Sequence, residues 1–68
     1  MYRVIYYLEV EDRQITADVR GDIPESGDTI HFTHTRLGHT HTVRGVVETV
    51  HGESVYLEEE GVEIRISR

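Results

Sequence analysis

The strongest constraint on the fold of this chain is a two-residue alternation of apolar and polar side chains. Apolar residues occupy every even position of the first segment: Tyr2, Val4, Tyr6, Leu8 and Val10. Such alternation gives a β-strand one apolar and one polar face. The composition agrees, because the 68 residues include nine Val, six Ile and seven Thr but only one Ala and three Leu. Branched side chains favour strands, so the chain is predicted to be all-β.

The first two alternating segments predict a β-hairpin. After the polar stretch 11–14, a second run of alternating residues extends to position 20. The predicted register joins three apolar pairs: Val10 with Ile15, Leu8 with Ala17, and Tyr6 with Val19. All six side chains then lie on one face, which a slip of one residue would destroy.

A second hairpin is predicted around the tight turn Leu37-Gly38. This turn places Phe32 opposite Val43 and His34 opposite His41. The cross-strand Thr pairs, Thr33 with Thr42 and Thr35 with Thr40, then form the outer face.

The remaining alternation completes a small barrel or a curled two-layer β-sandwich. A long strand is expected over 39–50, bent at Gly45-Val46-Val47, and two short strands over 55–57 and 62–66. We therefore expect about six short strands in an antiparallel meander, forming a single domain over residues 1–68. The segments 24–30 and 43–47 resemble the entry and the bent strand of SH3-like barrels, a resemblance that implies the same architecture.

Charge and composition exclude several partners and environments. Seven Arg and no Lys stand against 13 acidic residues, a net charge of −6. A phosphate backbone would be repelled, so direct binding of nucleic acid is not expected. No apolar run approaches the roughly 18–20 residues of a membrane span, and no secretory leader is visible, so a cytoplasmic protein without membrane contact is expected. The chain has no Cys and therefore neither disulfides nor thiolate metal ligands.

Three His side chains share one face of the second predicted hairpin: His34, His39 and His41. Imidazoles at these spacings could hold Zn²⁺ or Ni²⁺. Arg36 lies on the same face and would repel a dication. The alternative is that the rings extend the core face, with their nitrogens bound to Thr hydroxyls or water. We expect no resident cofactor, and the three-His site is kept as a hypothesis.

Two further groups are candidates for binding a partner. Ile5 and Tyr7 lie on the face of the first strand opposite Tyr6 and Leu8, and such large groups need cover. The cover is either the rest of the chain or a partner, which is a second copy in a homodimer or a foreign protein. Glu58, Glu59 and Glu60 form an acidic run that is either a docking patch or a solvated turn.

The sequence therefore favours a non-enzymatic interaction module that binds a basic partner protein. His51, Glu53 and Ser54 fall within one turn, where a catalytic triad cannot be arranged, and no catalytic residue is assigned. One alternative is an inhibitor of the kind that phages encode against host defence, which mimics the charge of nucleic acid. The other alternative is a His-dependent metal-binding protein.

Overall fold

Six strands make up most of the chain in the computed structural model, which describes residues 1–67. Their bounds are β1 Tyr2–Leu8, β2 Arg13–Val19, β3 Thr29–Arg36, β4 His39–His51, β5 Ser54–Leu57 and β6 Glu63–Ser67. A single 3-10 turn, Glu9–Glu11, joins β1 to β2. The predicted all-β class and the six strands are thus confirmed. Within residues 1–67, no helix has the length and apolar character needed to cross a membrane.

The strands form one curled, half-barrel sheet with the order β2-β1-β5-β4-β3, and β6 is added to β4. The 13-residue strand β4 organises this sheet, because its first half pairs with both β3 and β6 and its second half pairs with β5. The predicted antiparallel meander is wrong in its strand order, because β2 and β3 lie at opposite ends of that order instead of pairing. β1 and β5 are parallel, with Val4 opposite Val55, and β6 pairs with β4 instead of β5. Alternation along a strand does not specify the strand's partner.

The register of the first hairpin differs from the prediction by four residues. Ile15 pairs with Tyr6, and Val19 pairs with Tyr2. The cause is the turn, since the 3-10 segment starts directly after Leu8 and Asp12 closes it in the left-handed conformation with φ 51°. Asp tolerates this conformation better than most residues. An even shift keeps each side chain on its predicted face, but it removes Val10 from the strand.

The second hairpin has the predicted register. Phe32 pairs with Val43, and His34 pairs with His41. The predicted irregularity in β4 is also present, although it lies slightly later, between Val47 and Thr49 in the pairing with β5.

The core fills the concave side of the curled sheet. Its buried apolar residues are Tyr2, Val4, Tyr6, Leu8, Ile15, Ala17, Phe32, Val43, Val47, Val55 and Leu57. Gly45 contributes by its lack of a side chain, because a Cβ at this position would lie 3.2 Å from both Leu57 Cδ1 and Val62 Cγ2. The glycine therefore lets the segment before β6 pack closely against β4.

Candidate functional site

An apolar groove of about 200 Å³ lies between the end of β1 and β6. Its lining consists of the apolar residues Tyr7, Leu8, Val10, Val62, Ile64 and Ile66 and the acidic residues Glu9 and Glu59. We call it the β1–β6 groove. Its lining comes from residues 7–10 and from positions within 59–66, two segments that lie far apart in the sequence.

Two of the apolar side chains in this groove are largely open to solvent. Val10 is 86% exposed and Ile66 is 48% exposed. Val10 was expected to belong to the core face of the first strand, and that expectation is wrong because Val10 lies in the 3-10 turn.

The two predicted anchor residues of β1 occupy different environments. Ile5 is half-buried in the outer face of the sheet, between its cross-strand neighbours Thr16 and Tyr56. Tyr7 lines the β1–β6 groove, where its hydroxyl donates a hydrogen bond to the Asp12 carboxylate. That hydrogen bond is the main reason why the pKa of Tyr7 is raised. Their role in binding a partner stays a prediction, and only Tyr7 belongs to the groove.

The three acids of the run 58–60 also occupy different environments. Glu58, Glu59 and Glu60 line a shallow groove of about 470 Å³ on the outer surface, together with Glu48 and Gln14 among others. Glu59 alone of the three also lines the β1–β6 groove. Glu59 therefore places a negative charge in the lining of the β1–β6 groove, whereas Glu58 and Glu60 line only the neighbouring shallow groove.

Tyr6 of β1, His34 of β3 and His41 of β4 form a hydrogen-bonded cluster. The Tyr6 hydroxyl lies 2.6 Å from His34 Nε2 and 3.3 Å from His41 Nδ1. His41 is only 2% exposed. Because the hydroxyl carries one proton, it can donate to one imidazole while it accepts an N–H from the other. The three groups therefore satisfy one another, and the predicted partners, Thr hydroxyls or water, are replaced by a tyrosine.

Burial keeps this cluster uncharged near neutral pH. It raises the pKa of Tyr6 to about 12. Burial also lowers the pKa of His34, and the positive charges of His41 and Arg36 lower it further. For His41, burial again lowers the pKa, with Arg36 acting in the same direction. Each group thus favours its neutral form.

An ion pair lies beside the cluster. Arg36 Nη1 and Nη2 donate to the Glu11 carboxylate at 2.6 and 2.9 Å. This bidentate pair connects the turn after β1 to the end of β3. The hydrogen bond from Arg36 holds the pKa of Glu11 below its usual range. The sequence did not predict the pair, because its members belong to different hairpins.

The predicted metal ligands are only partly brought together. His34 and His41 converge on the Tyr6 hydroxyl, while His39 lies at the start of β4, opposite Arg36. In residues 1–67, no group of three or more His, Asp or Glu side chains is arranged to hold a metal ion. A zinc or nickel site stays a prediction from the sequence. No protein-family model, curated protein or solved structure matches this chain.

Proposed function

We propose that this chain is a non-enzymatic protein-binding module, and that its β1–β6 groove binds an extended, basic segment of a partner protein. The observation that carries this proposal is the groove itself, whose lining combines exposed apolar side chains with two acids. Val10 and Ile66 supply the apolar centre, and Glu9 and Glu59 supply the charge beside it. An apolar centre with a polar rim is the common anatomy of protein interfaces.

The charge of the groove favours a basic segment. Both charged residues in its lining are acidic, and the whole chain carries −6. A partner with Lys or Arg next to an apolar side chain would gain both attraction at a distance and burial on contact. An acidic partner would meet repulsion from Glu9 and Glu59 in the same place.

The backbone of β6 favours an extended segment. In the described part of the chain β6 pairs only with β4, so its other edge has no strand partner. An added strand could bond to these backbone groups while its alternate side chains enter the groove. The volume of about 200 Å³ suits one or two such side chains, and it lies below the roughly 300–1,000 Å³ of pockets that enclose small ligands.

Synthetic peptides test this proposal without a known partner. A peptide of alternating Lys and Val should shift the amide resonances of β6 and of residues 7–10 in a saturable manner. Peptides of alternating Glu and Val, or Lys and Ser, should bind at least about tenfold more weakly, because each lacks one of the two contributions. Equal binding of all three peptides, or shifts spread over the whole surface, would overturn the proposal.

A matched pair of double variants locates the site. Val10→Ser with Ile66→Ser should abolish binding of the Lys-Val peptide. Leu37→Ser with Ile23→Ser is the control, because these residues are 78% and 43% exposed but lie outside the groove. Light scattering completes the design. A concentration-dependent dimer that only the groove variant disrupts would assign the groove to a second copy, and would overturn the basic partner.

A further inference from the structure

The outer face of the β3-β4-β6 sheet carries a cationic groove on an otherwise acidic protein. This outer groove has a volume of about 370 Å³ and is lined by His31, Thr42, Arg44, Glu63 and Arg65. It lies on the opposite face of β6 from Ile64 and Ile66, because side chains alternate along a strand. It is therefore separate from the β1–β6 groove.

The strand register brings the two guanidinium groups of the outer groove together. Arg44 lies directly opposite His31 of β3 and opposite Glu63 of β6. Arg65 lies opposite Thr42, which places it diagonal to Arg44 across the β4–β6 pair. Diagonal neighbours are about 7–8 Å apart, so two long Arg side chains can reach the same small ligand.

Within residues 1–67, neither Arg44 nor Arg65 forms an ion pair with an acidic residue. The ion pairs within 4 Å in residues 1–67 are Arg3 with Asp18 and Arg36 with Glu11. Arg44 and Arg65 belong to neither pair, although Glu63 lines the same groove. Their donors are thus open to an anion, and Glu63 is the one group of the lining that opposes it.

We propose that the outer groove binds the phosphate monoester group of a small soluble molecule. The planar fork of Arg matches the oxygen atoms of a phosphate group, and two such forks can bind one dianion from two sides. Thr42 lies directly opposite Arg65 and two residues before Arg44 on β4, so its hydroxyl can donate a further hydrogen bond. This inference is independent of the proposed function, since it concerns another face and an anionic ligand.

The surroundings of the outer groove select a small anion over a polymer. Electrostatic screening confines the field of the groove to about 8–10 Å at physiological salt. A polyanion such as nucleic acid would extend past this distance onto a protein surface with a net charge of −6. The lining has no aliphatic or aromatic side chain apart from the His31 ring, so it offers an acidic peptide few anchors for apolar side chains.

Titration with glycerol 3-phosphate, followed by NMR of the amide resonances, tests the proposal. Residues 31, 42, 44, 63 and 65 should shift in a saturable manner, with a dissociation constant in the millimolar range. Dimethyl phosphate, which carries one charge, should bind more weakly. Arg65→Gln should weaken binding of glycerol 3-phosphate about tenfold, the usual loss for one charge-assisted contact. Glu63→Gln should tighten it, because the opposing carboxylate is removed.

Two charge-matched variants serve as controls. Arg20→Gln and Glu53→Gln change the net charge equally but lie outside the groove, so they should leave the dissociation constant within about twofold of the wild-type value. Equal effects of the groove and control variants would overturn the site. So would binding of dimethyl phosphate as tight as that of the monoester. Tighter binding of oligothymidylate, or binding only to vesicles that contain phosphatidic acid, would replace the small ligand by a polymer or a membrane surface.

Discussion

The half-barrel has two openings in its incomplete sheet, and different kinds of side chain line them. At the first opening, the seam between β3 and the β1–β2 hairpin with its connecting turn, polar groups bind one another across the gap. Arg36 of β3 pairs with Glu11, and His34 of β3 meets the Tyr6 hydroxyl. At the β1–β6 groove two apolar side chains, Val10 and Ile66, are open to solvent beside the acids Glu9 and Glu59.

The difference indicates where the molecule is complete and where it is not. Polar groups at an opening can satisfy one another or bind water, so the seam needs no further partner. Apolar carbons gain free energy only when another surface covers them. The seam should therefore control the stability of the fold, and the groove should control association while contributing little to stability.

Removal of the hydroxyl at the seam should have the largest effect. Tyr6→Phe leaves His34 Nε2 and His41 Nδ1 without their partner, and an unsatisfied buried polar group costs about 1–3 kcal/mol. Chemical denaturation measures the loss. Tyr56→Phe is the control, because Tyr56 is an exposed tyrosine and its change should stay within about 0.5 kcal/mol. Equal stability of the two variants would show that the hydroxyl does not support the seam.

Acidification should weaken the same seam. The pKa values of His34 and His41 are lowered in the folded state, so between these values and the ordinary value near 6.5 the unfolded chain binds more protons. Stability is therefore fully present above pH 6.5 and falls as the pH drops below it. The melting temperature should therefore be lower at pH 5.5 than at pH 7.5, which thermal unfolding at the two pH values measures.

The control for the pH effect must account for every charge near the two rings. The charges that act on His34 are those of His41 and Arg36, and the charges that act on His41 are those of Arg36, Glu11 and His39. Glu11 opposes the effect on His41, and the other charges reinforce it. His34→Thr removes one titrating ring and keeps these charges, so it should make the pH profile flatter. An unchanged profile in this variant would exclude His34 as a source of the pH dependence.

The sequence predicted the seam and the groove unequally. The register of the second hairpin was predictable, because the turn at Leu37-Gly38 is local and only one pairing aligns Phe32 with Val43. That register also placed His34 opposite His41. Tyr6, 28 residues before His34, was not predicted to join them, since no local pattern indicates which strand covers a given face.

The groove was harder to predict, because it depends on turns and on long-range pairing. Alternation constrains which face a side chain occupies, but it permits a shift of four residues in the first hairpin. The 3-10 turn that exposes Val10 decides between these registers. In the same way, Ile66 follows the alternation of a core strand, yet the position of β6 at the sheet edge leaves it half exposed.

The groove should tolerate polar substitution that the seam would not. Val10→Ser with Ile66→Ser should change the free energy of unfolding by less than about 1 kcal/mol, because exposed positions each contribute little. If the double variant no longer binds the Lys-Val peptide but keeps its free energy of unfolding, the groove serves association and not folding. A loss of stability as large as that of Tyr6→Phe would instead place both residues in the core and remove the contrast between the two openings.

The smallest effect should come from single charges beside the groove. Glu59 lines the groove, whereas Glu60 lies in the same exposed turn and does not. Charges at the rim act mainly on encounter, so Glu59→Gln should slow association of the Lys-Val peptide more than Glu60→Gln does. Both effects should shrink as salt shortens the screening length. Stopped-flow kinetics at several salt concentrations measure them. Equal effects of the two substitutions would mean that the whole acidic run steers the peptide, and a change confined to the dissociation rate would make Glu59 a direct contact.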